Sequence, residues 1–151
     1  MKYQDHYESE FYPTPSFYDS SKPYQEWLYS KAKSHYKRDK KRSKGEFRFT
    51  HKDYRLAINK AFLKSKGLDF YTNEKLDWSL VGTYDNRKSQ KGRRNYKSKF
   101  ALLPTIDHTY EENEPIDIVI CGWRTNDAKN DLKIDEFVNL CELVIKNYRN
   151  K

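Results

Sequence analysis

Cysteine is scarce in this chain of 151 residues, and the two present, Cys121 and Cys141, stand in no Cys-x-x-Cys spacing. A closed structural zinc site needs four convergent Cys or His ligands, so none is expected, and both thiols, lying in apolar stretches, read as buried and free. Long apolar runs are lacking as well. None reaches the roughly 18 residues that suggest a membrane span, and the opening MKYQDHYESE has no secretory apolar segment. The expectation is a soluble, cytoplasmic chain without a membrane partner. Acidic residues are in deficit: 22 Asp and Glu face 30 Lys and Arg, for a net charge of +8 and a pI near 9.3. That balance favours a polyanion, with nucleic acid the leading candidate. The length suits one domain with a modest core.

The positive charge is concentrated in two runs. Residues 31–55 hold eleven Lys or Arg against three acids, and residues 86–99 hold seven against none. Both runs interleave charge with aromatic rings. Tyr36 precedes Lys37, Arg38, Lys40, Lys41 and Arg42, and Tyr96 stands among Arg93, Arg94, Lys97 and Lys99. A Lys-rich stretch is usually only a solvated face, but cations beside rings that can stack or pack on sugars suit phosphate contact. From Asp107 onward the balance reverses, with ten acids to six bases. A carboxylate-bearing centre there lies beside the basic runs rather than inside one.

Residues 1–20 are aromatic and irregular, interrupted by Pro13 and Pro15, and read as an arm along the surface. A helix is expected after Ser21 and Pro23, with Tyr24, Trp27, Leu28, Ala32 and Tyr36 recurring every three to four positions. Thr50 with Asp53 resembles a capping box and opens a second helix through Leu56, Ala57, Ala61 and Leu63, stopped by Gly67. A turn at 71–74, a strand at 78–81 and a polar basic loop at 83–99 follow. Strands are expected at 100–106 and 116–121, joined by an acidic turn. Thr125 or Asn126 would open a short helix. A last helix from near Lys133 carries Ile134, Phe137, Val138, Cys141, Val144, Ile145 and Tyr148 as an apolar stripe, read as core packing.

The residues that carry chemistry fall at the end of one apolar run and the start of the short helix. Asp107-His108 closes the run, and Asn126-Asp127-Ala128-Lys129 supplies an Asn-x-x-Lys. The order of strand, Asp-His, strand and Asn-x-x-Lys resembles the HNH endonuclease family of the ββα-metal superfamily, over the last third of the chain. The resemblance implies an α+β fold in a single domain. It would comprise the arm over 1–20, a helical and basic-loop DNA-binding part over 21–99, and a ββα-metal core over 100–151 with a C-terminal helix. The core is a two-stranded antiparallel hairpin plus helix. Asp117, nine residues before Asn126, stands where the family carries its middle Asn. That residue's implied role is to brace the loop so that a backbone carbonyl orients the catalytic imidazole, and an Asp would brace with acceptors only. The Cys-x-x-Cys knuckles of many relatives are missing, which makes this a zinc-free variant.

Phosphodiester hydrolysis needs an activated water, neutralisation of charge on the non-bridging oxygens and stabilisation of the leaving alkoxide. An imidazole titrating near about 6.5 can take a proton from water at neutral pH, which is the role expected of His108. Asp107 and Asn126 would hold one Mg²⁺ or Mn²⁺ ion, its other positions going to water and phosphate. Lys129 and Arg124 would touch phosphates flanking the cut. Neighbours in a regular strand point opposite ways, so Asp107 and His108 can share a phosphate only across a kink or strand end. Plainer roles compete: His108 could cap a turn, Asn126 could be a helix N-cap, and Asn130 is a fallback ligand. His35 and His51 read as surface or phosphate-contacting residues, and His6 as part of a flexible end. The expected function is a divalent-metal DNA endonuclease, DNA being preferred over RNA because the resembled family mostly cuts DNA. Two alternatives stand beside it. One is a nucleic-acid-binding module on the same framework without turnover, favoured by Asp117, and the other a toxin-like nuclease held by an acidic inhibitor. Whether one subunit nicks or a homodimer cuts both strands is left open.

Overall fold

The computed structural model describes residues 10–18, 23–110 and 115–151. Helix α1 (Tyr24–Arg42) starts directly after Pro23, whose fixed φ of −74° leads into the first turn. Helix α2 (His51–Ser65) has the capping box expected of Thr50 and Asp53, with the Thr50 amide donating to the Asp53 carboxylate at 2.6 Å. It ends at Lys66 and Gly67, both with positive φ. The buried residues of α1, Tyr24, Leu28 and Ala32, are spaced four apart, as are Tyr54, Ile58 and Phe62 of α2. Each set forms one stripe, and the stripes pack together.

Aromatic rings fill the space around Phe62, which is fully buried. Trp78 lies 4.0 Å from its ring centroid, Tyr24 4.9 Å and Trp27 5.3 Å. Phe17 stacks on Phe62 and Tyr18 is buried beside it, so this part of the N-terminal arm belongs to the core rather than to the surface. Residues 1–9 of the arm, including His6, lie outside the described residues, as does Ser21.

Several elements differ from the sequence expectation. The strand expected at 78–81 is a 3₁₀ turn, Trp78–Leu80, because the Asp77 carboxylate accepts from the Ser79 amide at 3.0 Å and curls the chain. The expected basic loop contains helix α3 (Asn86–Lys97), started by Asp85, whose carboxylate accepts from the Arg87 and Lys88 amides. It has almost no apolar stripe, so periodicity could not reveal it. Strand β1 (Pro104–His108) begins later than expected, after a 3₁₀ turn at Ser98–Phe100. Strand β2 (Ile118–Gly122) pairs with it antiparallel, Ile106 opposite Ile120 and His108 opposite Ile118. Helix α4 (Trp123–Lys129) follows without a loop, and helix α5 (Ile134–Arg149) ends the chain.

The described residues thus form an α+β structure of five helices and a two-stranded antiparallel hairpin. Ile106 and Ile120 join the hairpin to the aromatic core on the α1 and α2 side. Helix α4 packs on the hairpin as well. The turn between β2 and α4 is fastened by Asp69, only 1% exposed, which accepts from the Gly122 amide at 2.6 Å and the Thr125 hydroxyl at 2.8 Å. Gly122 is needed there because a Cβ would meet the Ala101 carbonyl oxygen at 2.8 Å. The apolar stripe of α5 is mostly not core: Ile134 and Phe137 are half-buried, Phe137 edge-to-face on Tyr71, but Val138, Val144, Ile145 and Tyr148 are exposed, as are Leu140 and Leu143 beside them. Cys141 is exposed with them, whereas Cys121 is buried and its thiol is pushed up to about 12 by burial. No helix among the described residues is long and apolar enough to cross a membrane.

Candidate active site

Strand β1 stays in register through its last two residues, Asp107 opposite Val119 and His108 opposite Ile118. The two side chains therefore leave on opposite faces of the hairpin, and the kink that would bring both onto one phosphate does not occur. Each meets a different set of partners.

Asp107 is buried on the α4 side, 5% exposed. The Tyr71 hydroxyl donates to its Oδ2 at 2.6 Å, and the Lys129 ammonium lies 3.2 Å from the same oxygen. Lys129 also donates to the His108 carbonyl at 2.9 Å and is fully buried, so it is not the phosphate-facing cation expected from sequence. Burial and the Asp107 acceptor together hold the Tyr71 phenol well above the usual range. Asn126 sits one turn before Lys129. Its amide nitrogen donates to the Thr105 hydroxyl and the Ile106 carbonyl, both at 3.3 Å, so its oxygen is the atom suited to coordinate. Asn130 takes the C-cap of α4, its own amide bonded to the Asn126 carbonyl at 2.9 Å.

His108 faces the opposite way, toward α1. Its Nε2 is 3.3 Å from Asp39 Oδ2 and in hydrogen-bond contact with the Arg38 guanidinium. Arg38 also donates to His35 Nδ1 at 2.9 Å, and the Tyr54 hydroxyl donates to Asp39 at 2.8 Å. Burial alone would raise the Asp39 carboxyl, but hydrogen bonds from His108, Tyr54 and Arg38 outweigh it and hold it well below the usual carboxylate range. Burial, then the Arg38 charge, pushes His35 down to about 3, so it accepts from Arg38 as a neutral imidazole. A cavity of about 250 Å³ opens over this group, lined by Asp39, Tyr54, His108, Tyr110, Ile116 and Asp117. The Asp117 carbonyl accepts from the Thr109 amide at 3.4 Å and closes the hairpin.

The sequence points Arg38 to phosphate and His35 to the surface or to phosphate, with no role foreseen for Asp39 or Tyr54; instead the Arg38 guanidinium is bonded to Asp39, His35 and His108. The signal lay in the spacing: His35, Arg38 and Asp39 stand at i, i+3 and i+4, on one face of α1. It is a spacing any helix shows, and only the contact with His108, about seventy positions on in sequence, gives it meaning. His51 is structural, with Nε2 3.2 Å from the Tyr29 carbonyl.

The remaining cations are distributed differently. Lys40, Lys41 and Arg42 are exposed on the last turn of α1, and Arg93, Arg94, Lys97 and Lys99 are exposed on and after α3. Arg124 forms an ion pair with Glu74. Among the described residues no three His, Cys, Asp or Glu side chains converge as a metal cluster. The donors present, one carboxylate and one amide oxygen, still suit Mg²⁺, which keeps several waters and takes few protein ligands. A cation there would share Asp107 with Lys129. No protein-family model matches the chain, and no curated protein or solved structure gives a significant match to it.

Proposed function

We propose that the chain is a metal-dependent nuclease of the HNH type that hydrolyses DNA. The observation that carries this reading is the continuous unit β1–β2–α4. Asp107-His108 ends the first strand, and the helix after the second brings Lys129 onto that same pair, 2.9 Å from the His108 carbonyl and 3.2 Å from the Asp107 carboxylate. In this reading His108 is the base. With its Nε2–H donated to Asp39, the lone pair of Nδ1 accepts the proton of the attacking water. The Arg38-bonded form is the opposite tautomer, with the proton on Nδ1, so Asp39 and Arg38 compete over which nitrogen can act. Asp107 and Asn126 would hold Mg²⁺ or Mn²⁺, which would neutralise charge developing on the phosphate; because Asp107 and His108 face opposite ways, that phosphate would have to lie across the end of β1, which stops at His108. The exposed Lys40, Lys41, Arg42, Arg93, Arg94, Lys97 and Lys99 supply counter-charge for the DNA backbone.

A binding module without turnover is the second reading. The Asp107 and Lys129 ion pair favours it, because an ammonium already neutralises the carboxylate a metal would use. Cleavage of supercoiled plasmid separates the two. Nicking or linearisation with Mg²⁺ or Mn²⁺ that is lost with EDTA and in His108→Ala supports the nuclease. Binding of varied DNA with no cleavage under either metal supports the module.

A further inference from the structure

A second and larger cavity, about 880 Å³, lies between α3 and α4, outside the partners of His108 and Asp107. Its wall includes Arg93, Arg94 and Lys97 from α3, with Trp123, Arg124 and Asp127 from α4. The size falls within the roughly 300–1,000 Å³ of small-molecule sites. Four cations against one carboxylate make it a site for anions, and Arg124 is partly neutralised by Glu74.

Two features set this cavity apart from a solvated basic face. Trp123 is half-buried and held edge-to-face by Tyr84, ring centroids 5.3 Å apart, while the Tyr84 hydroxyl donates to Ser89 at 2.6 Å. An indole fixed in this way loses little freedom when a flat ligand stacks on it. Helix α3 is also broken within its own span. Arg93 has φ 42° and ψ −125°, strained backbone for a residue with a Cβ. Gly92 lies so close to Tyr96 that a Cβ would meet the tyrosine Cβ at 2.7 Å. Strained residues persist where the surroundings over-determine them and concentrate at ligand-binding sites, and the strained residue here is a cation in the cavity wall.

We propose that this cavity is a subsite for one unstacked nucleotide of the DNA, its base against Trp123 and its phosphate among Arg93, Arg94 and Lys97. The inference rests on the nucleic-acid reading above and extends it to the state of the strand, unpaired at one position. Every base has a π-face, so stacking on Trp123 tolerates any of them. Gln90 and Asp127, also in the wall, offer donors and acceptors to a base edge. Asp127 directly follows Asn126, so the subsite adjoins the helix of the candidate centre.

The test uses the full chain in EDTA, where cleavage plays no part. Binding is compared between a fully paired duplex and the same duplex with one bulged 5-iodouracil, followed by photo-crosslinking and mass-spectrometric mapping. The expected result is about tenfold tighter binding of the bulged duplex, with the crosslink on Trp123. Both the preference and the crosslink should be lost in Trp123→Ala. Because Trp123 packs on Tyr84, the exposed pair Arg94→Ala/Lys97→Ala serves as a second variant and should remove most of the preference without touching the core. Equal binding of both duplexes, or a crosslink mapping elsewhere, overturns the subsite and leaves the nucleic-acid reading standing. Binding to neither duplex overturns both.

Discussion

Asp107 and His108 are consecutive in sequence and belong to two different electrostatic worlds. On one face of β1, Asp107 is sealed with Lys129 and Tyr71 in a pair that is almost wholly out of water. On the other face, His108 meets Asp39 and Arg38, which remain 18% and 37% exposed and border an open cavity. A buried ion pair contributes mainly when intact and is strongly destabilising when one partner is removed. A half-exposed group can exchange protons with solvent and substrate. The Asp107 side therefore reads as what keeps the hairpin and α4 together, and the His108 side as the face with chemistry available to it.

Lys129 holds the Asp107 face together. Lys129→Met leaves Asp107 charged and buried without its ammonium and removes the bond to the His108 carbonyl, so a loss of about 3–5 kcal/mol is expected in urea unfolding. A loss under about 1 kcal/mol would mean the pair is not structural. Asp39→Asn sharpens the other face. It removes the carboxylate that favours Nε2–H on His108, and plasmid cleavage should fall on the order of 10²-fold, with some loss of stability as Tyr54 and Arg38 lose their charged acceptor. Unchanged cleavage would remove Asp39 from the proposed mechanism. Tyr71→Phe takes one hydrogen bond from Asp107, and about 1–3 kcal/mol of stability should go with it, read by the same unfolding curves.

Acid should act through the α1 face. His35 is held neutral, with its pKa pushed down to about 3 from 6.5, so the unfolded chain binds the extra proton first. Its contribution is fully present above pH 6.5 and is lost progressively as the pH falls toward about 3. Asp39, depressed below its ordinary 3.8, loses stability in the same direction at lower pH. His35→Gln should flatten the fall in melting temperature between pH 6.5 and 4, and an unchanged slope would show that His35 is not the group responsible. The smallest effect is expected on α5, where Leu143 and Val144 are 65% and 60% exposed. Leu143→Gln or Val144→Gln should move the stability by no more than about 0.5 kcal/mol.

Helices α2 and α5 show how far the pattern of residues could be read. They are 15 and 16 residues long, and each carries an apolar stripe. In α2 the core stripe is Tyr54, Ile58 and Phe62 rather than the Leu56, Ala57, Ala61 and Leu63 expected from sequence, of which Leu56 and Leu63 are exposed; only its start was legible, because the Thr50 and Asp53 capping box is a local device. In α5 the same kind of stripe stays largely uncovered among the described residues, with Phe137 on Tyr71, since amphipathicity says that a face can be buried and not what lies opposite it. Helix α3 was missed for the converse reason: Asp85 caps a segment whose side chains are nearly all polar.

By itself the sequence determined the elements that depend on near neighbours: the two long N-terminal helices, the hairpin with Asp-His at the end of its first strand, and a short helix bearing Asn126 and Lys129. These follow from capping, periodicity and β-propensity, which act over a few residues. The tertiary structure decided the rest. It sent Asp107 and His108 to opposite faces, buried Lys129 against Asp107, and drew His35, Arg38, Asp39 and Tyr54 from two distant helices around one imidazole. Those outcomes turn on which charges come within about 4 Å after packing, and Coulomb and desolvation energies depend on that separation and burial rather than on distance along the chain.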